Sequence, residues 1–114
     1  MTTELETLAA RARARSAAAN DRAEMLRAAL PHLATVVRDL GAARVVVFGS
    51  VAEGGVHERS DIDLAVTGLP ADRYWEALGR LGAEAPCAVD LVREEDASPS
   101  LLQAIRRGRV VDAG

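Results

Sequence analysis

Apolar positions recur through the first third of the chain at helical spacing. Residues 4–19 hold mainly Ala, Arg, Glu and Leu, with no Gly or Pro, and these are good helix formers. Leu26, Leu30, Leu33, Val37 and Leu40 follow at the three- and four-residue intervals of one helix face. Asn20 and Asp21 stand between the two stretches as a candidate cap, and Pro31 predicts either a kink or a fresh helix start. Gly41 closes the pattern. The period then changes. Arg44-Val45-Val46-Val47-Phe48 is short, apolar and β-branched, which reads as a buried strand. Gly49-Ser50 interrupts it, Val51 to Gly54 fits a single helical turn, and Gly54-Gly55 through Ser60 reads as a loop.

A second strand spans residues 61–67, Asp61-Ile62-Asp63-Leu64-Ala65-Val66-Thr67, and Gly68 and Pro70 close it. Ala71 to Leu81 is helical, with Tyr74, Leu78 and Leu81 on one face and Gly82 at its end. Val89-Asp90-Leu91-Val92 is a third strand. Ser98-Pro99 opens a last helix that Gly108 terminates, and Val110-Val111 adds a short final strand. The pattern contains no internal repeat. It divides the chain into a helical extension over residues 1–20 and one folded domain over residues 21–114.

Composition narrows the function. At 114 residues, 49% hydrophobic and 27% charged, the chain fits one globular domain. A net charge of −3 argues against direct nucleic-acid binding through a broad basic face. Aromatic residues are only 3%, too few for a base-stacking platform. One cysteine excludes an internal disulfide, and with no secretory signal pattern at the N-terminus it predicts a cytoplasmic protein. No apolar run is long enough to cross a membrane, so no membrane association is expected. All 14 basic residues are arginine, which, with the abundant alanine, follows GC-rich codon usage.

The candidate chemistry lies on the strands. Side chains two apart on a strand share a face, so Asp61 and Asp63 project together, about 6.5 to 7 Å apart along the chain. Carboxylates crowded on one sheet face repel each other unless a cation lies between them. An oxygen-only donor set favours Mg²⁺ or Mn²⁺. With only His32, His57 and Cys87 as alternatives, a nitrogen or sulfur metal site is poorly supplied. Gly49-Ser50 at a strand-to-helix turn suits a phosphate: glycine lets the backbone approach and serine donates a hydroxyl. His57 reads as a solvated loop residue, and Cys87 and Trp75 as core or interface.

The segment Val47-Phe48-Gly49-Ser50, ten intervening residues, then Ser60-Asp61-Ile62-Asp63-Leu64-Ala65-Val66 resembles the minimal nucleotidyltransferases of the DNA polymerase β superfamily. Val89-Asp90-Leu91-Val92 is similar to that family's third-carboxylate strand, and the likeness covers about residues 30 to 112. The resemblance implies an α+β fold, a small mixed β-sheet flanked by helices. It implies that Asp61, Asp63 and Asp90 hold two Mg²⁺ ions, that Gly49 and Ser50 hold the β- and γ-phosphates of ATP, and that Ser60 joins the nucleotide-binding set. Family members often carry arginines just after Gly-Ser, where this chain has Val51-Ala52-Glu53; Arg59 or Arg44 is either a replacement guanidinium or, the commoner case for such residues, an ordinary surface charge.

With no room for a second, acceptor-binding domain, the chain looks like the antitoxin half of two-gene modules that pair a small nucleotidyltransferase with a helical HEPN ribonuclease. The implied activity is Mg-dependent transfer of AMP from ATP to a tyrosine hydroxyl of that toxin. The alternative is a catalytically decayed module that neutralises or scaffolds a helical partner by contact alone.

Overall fold

The computed structural model describes residues 3–112. A 36-residue helix, α1 (Glu4–Asp39), opens the chain. Its start is a reciprocal cap: the Thr3 hydroxyl accepts the Glu6 N–H at 3.2 Å, and Glu6 accepts the Thr3 N–H at 3.1 Å. At 1.5 Å per residue α1 is about 54 Å long, which accounts for most of the 61 Å long axis of the molecule. Only its second half packs. Ala23, Leu26, Leu30, Leu33 and Val37 are buried, whereas Leu5 and Leu8 are 78% and 57% exposed.

The helix departs from the sequence reading at the candidate cap. It runs through Asn20 and Asp21, because a cap residue inside an already propagating Ala-rich helix costs only about half a kcal/mol in propensity. It also runs through Pro31 without a new start, with the Thr35 hydroxyl bonded to the Pro31 carbonyl at 3.1 Å. Leu26, Leu30 and Leu33, buried on either side of Pro31, pack this stretch of the helix against the core. The proposed boundary after residue 20 therefore falls inside one continuous helix, and what changes near it is burial.

The remaining elements are β1 (Arg44–Phe48), α2 (Ser50–Glu53), β2 (Ile62–Thr67), α3 (Tyr74–Glu84), β3 (Val89–Arg93), α4 (Pro99–Arg106) and β4 (Arg109–Val110). Short 3₁₀ turns at Ala71–Arg73 and Glu94–Asp96 precede α3 and α4. α3 continues past Gly82 and stops where Pro86 forces Ala85 into an extended conformation. Ser98 caps α4 by accepting the Leu101 N–H, with Pro99 at its first turn.

The strands form one mixed sheet in the order β3-β2-β1-β4. β1 is antiparallel to β2 and β4, and β2 is parallel to β3. Helices flank both faces, so the expected α+β class is observed. Val45 and Val47 of β1, Ile62, Leu64 and Val66 of β2, and Val89 and Leu91 of β3 join the buried face of α1 in the main core, with Ala77 and Leu81 of α3. The alternate positions Val46, Phe48 and Ala65 pack against Ile105, Leu101 and Leu102 of α4 in a smaller second core. Period-two alternation thus assigns each apolar residue of β1, β2 and β3 to one of two cores. Asp63 and Asp90 occupy the α4 face, near the starts of β2 and β3.

Candidate functional site

Register brings the acids together. Asp63 pairs directly with Asp90 across the parallel β2–β3 ladder, and on its other side with Phe48, the last residue of β1. The two side chains are direct neighbours on one face of the sheet. Burial first, then the negative charge of Asp90, a hydrogen bond with Asp90 and the charge of Asp61 together push the Asp63 carboxyl above its ordinary range. Among the described residues neither Asp63 nor Asp90 forms an ion pair with a cationic side chain.

The chain bends immediately beside this pair. Gly49 has φ 70° and ψ −149°, a backbone region that side chains other than hydrogen rarely enter. A Cβ placed there would lie 2.5 Å from Asp63 Oδ2. Glycine is thus required twice over, by the torsion and by the approach of the carboxylate. Ser50 follows as the first residue of α2 and is half-buried.

The third acid is held elsewhere. Asp61 lies just before β2, exposed, with Oδ1 3.7 Å from an Arg22 guanidinium nitrogen. Arg22 also donates from Nε to the Ser60 carbonyl at 3.0 Å, which ties the loop before β2 to α1. Among the described residues no three His, Cys, Asp or Glu side chains stand together as a ready metal cluster. The structure brings two of the three expected carboxylates together and turns the third toward Arg22.

Ser60 is 4% exposed. Its hydroxyl accepts the His57 N–H at 2.9 Å, and its own N–H donates to the His57 carbonyl at 3.0 Å. Its visible work is to close the loop. Arg59 donates its backbone N–H to His57 Nδ1. Arg44 begins β1 opposite Thr67, four residues and about 13 Å from Phe48 at strand rise, so it is at the wrong end of the strand to serve Gly49. Trp75 is 76% exposed and so is not a core residue; its ring stands edge-on to Tyr74. Burial pushes the Cys87 thiol up, against a smaller opposing effect of Arg22, so it is no ready nucleophile.

Two arginines escaped the sequence reading. Arg22 clamps the site loop across 38 positions, and Arg107 donates from Nε to Glu53 Oε1 at 3.2 Å across 54. No local pattern marks contacts of such separation.

The chain that carries this site has matches among known proteins. Residues 30–112 match the family described as the nucleotidyltransferase domain. The chain belongs to that family. Similar solved structures include a minimal nucleotidyltransferase at 32% identity and TM-score 0.64, covering 76% of this chain and 92% of that one. A toxin–antitoxin crystal structure with AMP-PNP is 30% identical over 72% of this chain and 71% of that one, with TM-score 0.62. A tri-AMPylated Shewanella oneidensis HEPN toxin in complex with MNT antitoxin gives 27% identity, 72% and 67% coverage, and TM-score 0.55. No curated protein matches the chain. As a nucleotidyltransferase-family domain it carries the Gly-Ser and Asp-x-Asp segments inside the matched region, while the exposed half of α1 lies outside it. No described helix is long and apolar enough to cross a membrane.

Proposed function

We propose that this nucleotidyltransferase-family domain transfers AMP from ATP to a hydroxyl, that of a tyrosine, on a HEPN-type ribonuclease toxin, and so acts as its antitoxin. The observation that carries the reading is the Asp63–Asp90 pair, two cross-strand carboxylates with no basic partner among the described residues, set against the Gly49 bend. Such a pair is unfavourable for the fold alone and favourable around a divalent cation. The donor set fits magnesium: oxygen ligands only, half-buried Asp63, and a partner acid in register. Asp61 completes the set when its half-exposed carboxyl leaves the long 3.7 Å contact with Arg22, whose guanidinium stays anchored at the Ser60 carbonyl.

In this reading Gly49 and Ser50 cradle the β- and γ-phosphates, the glycine by letting the backbone approach and the serine by donating its hydroxyl. Magnesium, when bound, supplies stabilisation of charge on the entering and leaving oxygens. The acceptor oxygen attacks the α-phosphorus in line, the bond to the bridging oxygen breaks, and pyrophosphate leaves. Asp90, the exposed member of the pair, receives the acceptor's proton at a carboxylate oxygen. Ser60 acts one step removed, by fixing the loop that delivers Asp61. The acceptor comes from a second protein, and its ATP dependence places the reaction in the cytoplasm.

A contact-only reading, in which the domain neutralises a helical partner without chemistry, draws support from Asp61 being engaged by Arg22. One experiment separates the two. The chain is incubated with ATP, Mg²⁺ and a HEPN-type toxin, and the toxin is weighed by intact mass spectrometry. An AMP adduct that vanishes with Asp63→Asn supports transfer; RNase inhibition without an adduct supports contact alone.

A further inference from the structure

The one-turn helix beside the proposed phosphate site ends in an acid. Ser50 and Glu53 are three residues apart in α2, so their side chains lie on the same face, about 5 to 6 Å apart at Cβ. A lone carboxylate there would oppose a triphosphate. It is not alone. Arg107, the C-cap residue of α4, reaches across and donates from Nε to Glu53 Oε1 at 3.2 Å. Both side chains are about half exposed, 59% and 45%, so the contact adds little to folding. Among the described residues the two terminal nitrogens of the Arg107 guanidinium have no hydrogen-bond or ion-pair partner.

The geometry points to Arg107 as a nucleotide-positioning residue: Glu53 grips its Nε and leaves its two terminal amino groups free to bind the β- and γ-phosphates held at Ser50. A planar guanidinium held at one nitrogen presents the other two as a fork, the form that suits phosphate oxygens. The inference rests on the nucleotidyl-transfer reading above. It explains how the site tolerates an acid in α2, since the acid serves as a holder for a cation delivered from another helix.

Calorimetric titration with ATP and with AMP, both in Mg²⁺, tests it on the full chain. For Arg107→Ala the ATP dissociation constant should rise about tenfold, the loss of one charge-assisted contact, while that for AMP stays within twofold. Glu53→Gln keeps an acceptor for Nε and should leave ATP binding at or above the wild-type strength. Arg107→Lys keeps the charge without the fork and should recover only part of the loss. Melting curves of the variants should overlay the wild type, as expected for an exposed pair. Equal ATP affinity in wild type and Arg107→Ala, or equal losses for ATP and AMP, overturns the assignment of Arg107 alone. Absence of ATP binding by the wild-type chain overturns both it and the nucleotidyl-transfer reading.

Discussion

Gly49→Ala concentrates the logic of the site in one methyl group. The new Cβ would stand 2.5 Å from Asp63 Oδ2, whereas ordinary contact begins at 3.4 Å, so the carboxylate must retreat by about 0.9 Å. Two costs follow. The backbone at φ 70° and ψ −149° disfavours alanine by about 1 to 3 kcal/mol. Forcing Asp63 outward adds about 1 to 3 kcal/mol more, the usual range for overpacking. A thermodynamic cycle with Asp63→Ala separates them, because removing the carboxylate removes the second cost and leaves the first. Urea or thermal unfolding of the four proteins should give a coupling of about 1 to 3 kcal/mol. Gly54→Ala is the control: its φ of 87° is also left-handed, but nothing lies within 4 Å, so its cost should be backbone strain alone with no coupling to Asp63. In the AMP-transfer assay, displacing a ligating group by nearly 1 Å should lower turnover about 100-fold for Gly49→Ala, and far less for Gly54→Ala. Additive energies in the cycle, or near-wild-type turnover by Gly49→Ala, would refute the close approach as the reason for glycine.

Charge crowding gives a second test. The Asp63 carboxyl is raised, so its ionisation costs the folded state; the cost is fully present above the raised value and disappears below the ordinary carboxylate range. Asp63→Asn should therefore be more stable than wild type at pH 7.5 by about 0.2 to 1 kcal/mol, the scale of a like-charge cross-strand pair, with the advantage fading toward pH 3. The same variant should lose AMP transfer and any thermal stabilisation by Mg²⁺. Glu84, which accepts from His32 Nε2 at 2.9 Å between α3 and α1, titrates in the opposite direction: the hydrogen bond from His32 lowers its carboxyl. Its contribution is present above the ordinary carboxylate range and lost as pH falls through the lowered value, so His32→Ala should melt below wild type at pH 7 and together with it at pH 2. Leu33→Ala, at a fully buried site on α1, should cost about 2 to 5 kcal/mol in urea unfolding, while Leu8→Ala on the exposed half should stay within about 0.5 kcal/mol.

The strands were legible because their residues alternate between two cores. Val45 and Val47 against Val46 and Phe48, or Ile62 and Leu64 against Asp63 and Ala65, carry the sheet's two faces in a period of two. The aspartates could be placed for the same reason: alternation puts Asp63 and Asp90 on one face of the sheet, although taken singly each could be only an exposed acid near a strand end. Helix ends were harder. Asn20, Asp21 and Gly82 are stop signals that the structure passes through, since each costs about 1 kcal/mol or less and long-range packing outweighs it. The side-chain clamps were not legible. Arg22 to Ser60 and Arg107 to Glu53 depend on how α1 and α4 are carried against the sheet, and nothing near either arginine in sequence records that placement. For the same reason the turning of Asp61 toward Arg22 appears only once the fold brings α1 beside the start of β2.

Three locally unfavourable features meet at one corner of the sheet: a strained glycine, two carboxylates in register, and an acid on the helix that follows. Each has a harmless explanation when taken singly. A turn can use glycine, a strand end can expose an acid, and a short helix can finish in Glu53. Their coincidence within one ladder step and one helical turn is harder to assign to folding, because local conflicts with stability concentrate where function holds them. A domain that worked by contact alone would be made more stable by Asn at position 63 and would lose nothing by it. The bet on chemistry is therefore sharp at that residue: the substitution that helps the fold is the one that should end the reaction.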